Sequence, residues 1–322
     1  MEKRRWLSAL AAAAGIFVLI MDSRTALAGA SQGLSLCLKT IIPSLFPFLF
    51  LSGTFSHACG SAGRAAQWLG RPFGIPANMT SILVPALLGG YPVGAQCVYE
   101  AYRSGAVDKF HAQRMLAYCS NVGPAFLFGI LPAAFPDRGT LWLLWGIQLL
   151  GIWASSFVFS CPAAQLRTDD APPASFGMEQ AVWAMLKICG WVILFRVLIA
   201  FLQRWVLWAV SSQIQIAVIG LLELSNGCCM LSQIPTEGTR FLICSVMLSF
   251  GGLCVAYQTA SVCPGLSLRN YFLGKMLQAA TSGIIAAAVY FRLWLLPPLW
   301  LAVLFGMKFA EKRSRNPLPV GV

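Results

Sequence analysis

Pro85-Ala86-Leu87-Leu88-Gly89-Gly90-Tyr91-Pro92-Val93-Gly94 sits at the centre of an apolar segment, residues 80–99, and no continuous helix can be written through it. Those ten residues hold two prolines and three glycines. In a helix interior each glycine costs about 1 kcal/mol relative to alanine, and each proline about 3. A second apolar segment, residues 207–230, is interrupted in a similar way at Glu223-Leu224-Ser225-Asn226-Gly227. Backbone broken at membrane depth is tolerated where protein or a watery cavity satisfies the freed N–H and C=O groups. Both segments therefore read as re-entrant hairpins whose tips lie at the breaks.

Their surroundings are those of a membrane protein. Of 322 residues, 58% are hydrophobic and 11% charged, against about 25% charged in a soluble domain. Mean hydropathy is +0.71, and apolar runs reach the roughly 20 residues that a bilayer demands. Besides the two broken segments, hydropathy marks residues 6–21, 31–56, 113–131, 140–160, 179–202, 239–259, 271–291 and 294–309. Residues 57–79 are polar and glycine-rich and read as a short interfacial helix; residues 161–177, with Pro162, Asp169-Asp170 and Pro172-Pro173, read as a linker at the chain's midpoint. Lys3-Arg4-Arg5, the apolar residues 6–21 and Ala26-Leu27-Ala28 have the order of a secretory signal. The charges in Asp22-Ser23-Arg24, just before the cleavage position, favour a retained first helix instead.

The net charge of +12 does not make a nucleic-acid surface, which needs basic residues clustered on one face with aromatic groups between them. Here they sit singly in loops and at the termini, as topology signals do. With a cytoplasmic N-terminus and both hairpins returning to their own side, fifteen fall inside: Lys3, Arg4, Arg5, Arg64, Arg71, Arg103, Lys109, Arg114, Arg167, Arg269, Lys275, Lys308, Lys312, Arg313 and Arg315. Five fall outside: Arg24, Arg138, Arg204, Arg240 and Arg292. This bias predicts a multi-pass cell-membrane protein with both termini, the 100–112 loop and the 161–177 linker in the cytoplasm.

The 11 cysteines show no CxxC pairs and no Cys/His ligand spacing, and Cys37, Cys97, Cys189, Cys244 and Cys254 lie inside apolar segments. There a thiol is a small hydrophobe. His57 and His111 stand alone at segment ends. No metal site, disulfide framework or cofactor is expected. Without a Ser/His/Asp set, a phosphate loop or an acid pair, no catalytic residue is nominated and the chain is not read as an enzyme.

The two halves repeat each other in order and spacing. Leu38-Lys39-Thr40-Ile41-Ile42-Pro43-Ser44-Leu45-Phe46 lines up with residues 186–195, give or take one residue, and Leu87-Leu88-Gly89-Gly90-Tyr91-Pro92-Val93-Gly94 with Leu221-Leu222-Glu223-Leu224-Ser225-Asn226-Gly227. Ser120-Asn121-Val122-Gly123 aligns with Ser249-Phe250-Gly251-Gly252. Each half then runs helix, hairpin, glycine-interrupted helix, helix. If the hairpin does not cross, each half crosses the bilayer three times, and an odd count inverts the second copy. Inverted repeats with paired broken segments build midplane sites in secondary transporters. The expected fold is an all-α polytopic membrane protein of two inverted repeats, each with a re-entrant hairpin and a glycine-interrupted helix. Its parts are an N-terminal helix (1–30), a first repeat (31–160), the linker (161–177), a second repeat (178–292) and a C-terminal helix with a basic tail (293–322).

Taken together, Pro43-Ser44-Leu45-Phe46-Pro47-Phe48, Gly89-Gly90-Tyr91-Pro92-Val93-Gly94-Ala95, Cys119-Ser120-Asn121-Val122-Gly123-Pro124 and Glu223-Leu224-Ser225-Asn226-Gly227 resemble the YlbJ-like sporulation integral membrane protein family. The likeness covers roughly residues 30–290. It implies the nucleoside-recognition Gate domain, related to concentrative nucleoside transporters and spore maturation proteins. It also implies an endospore-forming bacterium and a role in making resistant spores. By that analogy the solute is nucleoside-like, and the other partners are the lipid bilayer and a second copy or other sporulation membrane proteins.

Glu223 is the one acidic residue deep in an apolar run. A charge at mid-bilayer costs at least about 2.5–3.5 kcal/mol on insertion scales, so it faces a cavity or a partner. Lys39, Lys187 and Arg196 are the cations within reach in sequence terms, although snorkelling to the interface suits the two lysines better. Ser225, Asn226, Ser120 and Asn121 lie at the breaks, where half-helix ends expose unpaired backbone groups. They suit a small polar solute, and equally they suit helix caps. Gly90 and Tyr91 form the first hairpin tip, with Tyr91 either stacking on a planar ligand or plugging the tip. Gln258, near the end of its segment, reads as interfacial.

Overall fold

A computed structural model describes residues 2–59, 80–160 and 178–315, and among them every regular element is a helix. The predicted interfacial helix, for residues 60–79, and the linker 161–177 lie outside the described residues. The first half begins with α1 (Glu2–Met21) and continues through α2 (Ser23–Leu36), a π-helical turn (Cys37–Ile41) and α3 (Ile42–Cys59). The π turn has a local cause. Pro43 has no N–H to give the preceding turn, and the Ser44 hydroxyl donates instead to the carbonyls of Thr40, at 2.6 Å, and Ile41, at 3.2 Å.

Next come α4 (Thr80–Leu88) and α5 (Val93–Arg103), separated at Gly89–Pro92, then α6 (Lys109–Met115) and α7 (Pro124–Ile130), and finally the long α8 (Arg138–Val158). The second half has the same order. The long α9 (Met178–Trp205) precedes α10 (Ser212–Leu222) and α11 (Leu224–Met230), divided at Glu223. α12 (Glu237–Phe250) and α13 (Gly252–Val262) are divided at Gly251, which is left-handed at φ 81°, and α14 (Arg269–Phe291) completes the half. α15 (Leu296–Arg315) is the last helix among the described residues. The segment 113–131, expected as one interrupted helix, is two short helices with eight residues between them.

Among the described residues, five stretches are long and apolar enough to cross a membrane: Ser23–Leu51, Arg138–Val158, Ala181–Trp205, Glu237–Val262 and Arg269–Phe291. The two halves meet along two long helix pairs. α2 crosses α9 through Gly29 and Gly33, where an added Cβ would stand 2.9 Å from the Cα of Val197 and of Ile193. Small residues four apart let membrane helices approach this closely. α8 crosses α14 where Gly151 faces the Ser282 hydroxyl. This second pair carries a buried polar network: Ser249 Oγ lies 2.8 Å from Gln148 Oε1 and 2.6 Å from Ser282 Oγ.

Polar contacts mark two ends of the bundle. At one, Arg204 pairs with Asp22 at 3.2 Å, Arg240 donates to the carbonyl of Ala134, and Tyr290 reaches Glu237. At the other, Arg114 pairs with Glu311 at 2.6 Å and donates to the carbonyls of Val158 and Phe159. It thereby serves the unpaired C-terminal carbonyls of α8. α8 runs between these ends, and its 21 residues span about 31 Å, the thickness of a bilayer's hydrocarbon core.

Candidate functional site

The two hairpin tips meet. α4 and α5 pack against each other, as do α10 and α11, and a Cβ on Gly227 would meet the Cα of Gly220 across the second hairpin. Each hairpin leans on the broken helix of its own half at a glycine. A Cβ on Gly123 would lie 2.8 Å from the carbonyl oxygen of Leu88, and one on Gly252 would lie 3.1 Å from that of Gly220. The helix ends whose carbonyls lack intrahelical partners are thus brought against bare backbone.

Between the tips is a cavity of about 30 Å³, room for about two water molecules. The first hairpin lines it with Gly90 and Tyr91, the second with Glu223, Leu224 and Ser225, and the broken helices with Val122, Gly123, Val255 and Gln258. Gly90 takes a φ of 73°, in the region that glycine enters without steric cost.

Glu223 is 2% exposed and is the N-cap of α11. One carboxyl oxygen accepts from the Ser225 N–H at 3.1 Å; the other accepts from the Asn226 N–H at 2.7 Å and from Asn226 Nδ2 at 2.6 Å. The positive end of the α11 dipole adds to this. Among the described residues no lysine or arginine forms an ion pair with it. Arg196, a cation considered from the sequence, bonds Gln32 and Gln203 instead. Lys39 and Lys187 are exposed on the outer surface of the bundle.

Of the residues nominated from sequence, Gly90, Tyr91, Glu223 and Ser225 line the cavity, whereas Asn226, Ser120 and Asn121 do not. Asn226 serves Glu223. Asn121 donates from Nδ2 to the Tyr118 carbonyl at 2.6 Å, within the turn that follows α6. Ser120 is fully buried, its hydroxyl without a hydrogen-bond partner among the described residues.

Two residues were read differently from the sequence. Gln258, expected at the interface, is 4% exposed and lines the cavity; it lies on α13, beyond the break at Gly251. Lys275, counted among the cytoplasmic charges, is 1% exposed. Its Nζ donates to Tyr91 Oη at 3.2 Å, Asn121 Oδ1 at 3.1 Å and Gln278 Oε1 at 2.9 Å. The available signal was spacing: Tyr271, Lys275 and Gln278 share one helical face at i, i+4 and i+7. Among the described residues no group of His, Cys, Asp and Glu is arranged to hold a metal ion.

The fold and this cavity define a class: an all-helical integral membrane protein with several spanning helices, whose interior is assembled from the tips of two broken hairpins. Within that class the chain is a distant homologue of the "Sporulation integral membrane protein YlbJ" of Bacillus subtilis (strain 168), with 22% identity over 335 aligned residues, covering 88% of this chain and 81% of the relative. No protein-family model and no solved structure matches the chain.

Proposed function

We propose that this protein is a permease-like membrane protein of sporulation, in which a small polar solute passes through the site between the two hairpin tips. The observation that carries the reading is the shared cavity: Gly90 and Tyr91 from one half and Glu223 and Ser225 from the other line one buried space. α5 and α10, each of 11 residues, are each about 16 Å long, half of what a span needs. Hairpins of that length reach the midplane and turn back, the first from the Arg114–Glu311 end and the second from the Arg204–Asp22 end. This supports the inverted repeat and the re-entrant reading of both hairpins. The basic bias supports a cytoplasmic Arg114–Glu311 end, with both termini on that side, even after buried Lys275 is set aside.

A cavity of about 30 Å³ is far below the roughly 300–1,000 Å³ of small-molecule pockets. A nucleoside-sized solute therefore enters only if a tip moves, as alternating access requires. The same small volume favours a second reading, a membrane scaffold for spore-envelope assembly that carries nothing. Neither reading makes the protein an enzyme. Flux of radiolabelled nucleosides and other small polar solutes into proteoliposomes separates them. Saturable uptake that Glu223→Gln abolishes supports the permease. Absence of flux, with partner membrane proteins retained on gentle extraction, supports the scaffold.

A further inference from the structure

We propose that Lys275 is a proton-operated latch on this cavity: protonated, it fastens the first hairpin tip to α14, and loss of its proton lets the tip move. An ammonium has three N–H donors and no acceptor. Here the three are matched to three acceptors on three separate pieces of chain: Tyr91 Oη on the tip, Asn121 Oδ1 between α6 and α7, and Gln278 Oε1 on α14. Nζ also stands 4.9 Å from the centre of the Tyr91 ring and 5.9 Å from that of Tyr271, within the range of cation–π attraction. Among the described residues no carboxylate pairs with it, so neutral dipoles and two aromatic faces hold the charge.

Removing the proton removes one donor, and with the charge the attraction to both rings. Tyr91 loses most, because it is both the most distant acceptor and the nearer ring. Its side chain is also a wall of the cavity, so slackening it opens the space beside Glu223.

The titratable groups that face the amine are Tyr91 from the hairpin, Tyr271 from its own helix and Cys119 from the segment between α6 and α7. α8 and α12 contribute the uncharged Gln148–Ser249 pair alongside α14. α15 contributes Trp300, which donates to Thr281, and its Lys308 and Glu311 are engaged with Ser160 and Arg114. The latch thus answers to one proton, closing as pH falls and opening as it rises.

No solute enters this argument, so the latch and the permease reading can fail separately. The test uses the full-length protein in lipid nanodiscs with Ser225→Cys, alkylated by iodoacetamide and read at position 225 by peptide mass spectrometry. Rates are compared between the Lys275 and Lys275→Met backgrounds at each pH, which cancels the thiol's own titration. At pH 6 the Lys275 background should react about tenfold more slowly, and the two rates should converge as the pH rises and the amine loses its proton. A ratio near one throughout, or a ratio that does not change with pH, overturns the latch. Should Lys275→Met not yield folded protein, Lys275→Gln replaces it. The Lys275 background is also read alone against an exposed Asp108→Cys control, and a relative rate that stays flat from pH 6 to about 10 refutes the proposal equally.

Discussion

Tyr91 donates its hydroxyl proton to the carbonyl of Leu248, 3.2 Å away and 157 positions later in the chain. The acceptor lies on α12, three residues before the left-handed Gly251, and a Cβ on Gly251 would come within 2.7 Å of the Tyr91 hydroxyl. The tip of the first hairpin is therefore seated in the break of the second half's interrupted helix. This contact couples the two halves at the cavity. Tyr91→Phe should keep the ring in place, strand the Leu248 carbonyl and remove one of Lys275's acceptors. A buried group left unpaired costs about 1–3 kcal/mol. Thermal unfolding of the purified variant in detergent should show a loss of that size; an unchanged midpoint would mean that water replaces the hydroxyl.

Glu223 holds the start of α11 by three hydrogen bonds. Glu223→Ala should cost about 1 kcal/mol or more, as loss of an N-cap does. Glu223→Gln should cost less, since one amide oxygen still accepts, yet it removes the charge from the cavity. Thermal unfolding ranks the two, and spore heat resistance reads the function. A stable Glu223→Gln protein with a spore defect supports a site role, whereas full heat resistance removes Glu223 from the site.

Gln148 and Gln278 do equivalent jobs in the two crossing helices. Gln148 donates to the Ser245 carbonyl on α12 at 3.3 Å, and Gln278 to the Ala117 carbonyl beyond α6 at 2.9 Å. Each ties a long helix to the other half's interrupted segment, just before its break. Gln148→Ala and Gln278→Ala should each cost about 1–3 kcal/mol, with Gln278→Ala the larger because Lys275 loses an acceptor too. A Gln148→Ala loss well above that of Gln278→Ala would contradict this ordering.

Two aspartates outside the spans give a pH dependence. Asp108 caps α6, accepting from the His111 N–H at 2.8 Å with the His111 ring beside it, and Asp137 caps α8, accepting from the Thr140 N–H at 2.7 Å. The backbone N–H bond, in each case the largest influence, holds the carboxyl below its usual range. A carboxylate depressed on folding stabilises above its unfolded pKa, about 3.9, and loses that stabilisation as pH falls through the folded value. Asp108→Ala and Asp137→Ala should therefore lower the melting temperature slightly at pH 7, with the difference closing as pH falls through the folded value. A difference that persists undiminished in acid would assign the effect to packing.

The two ends of the bundle should be reachable from opposite sides. Asp108 lies at the Arg114–Glu311 end, and Trp208, 74% exposed, lies just beyond Arg204 at the Asp22 end. Cysteines replacing Asp108 and Trp208 should label from the cytoplasmic and outer sides respectively, in sealed right-side-out vesicles with an impermeant thiol reagent. Labelling of both from one side would rule out the bundle's orientation across the bilayer.

Membrane class, helical fold and the positions of the breaks were legible in the sequence, because each follows from local chemistry. Apolar runs of bilayer length make spans, and proline and glycine clusters such as Gly89-Gly90-Tyr91-Pro92 cannot continue a helix. Glu223 stood out for the same reason, as a carboxyl amid apolar neighbours. What the sequence left open depended on which distant residues meet. Three cations competed as partners for Glu223, and the tertiary structure assigns it none of them, because the N-terminus of α11 satisfies both its oxygens. Lys275 looked like one more basic residue near a segment end. Only the seating of the first hairpin against α14 makes it a buried amine with three neutral partners. Gln258 moved from the interface to the cavity wall because α13 packs inside the bundle, where Gln258 is buried. Hydropathy and helix breaking are summed along the chain, whereas the partners of a buried polar group are fixed by the packing of segments more than a hundred residues apart.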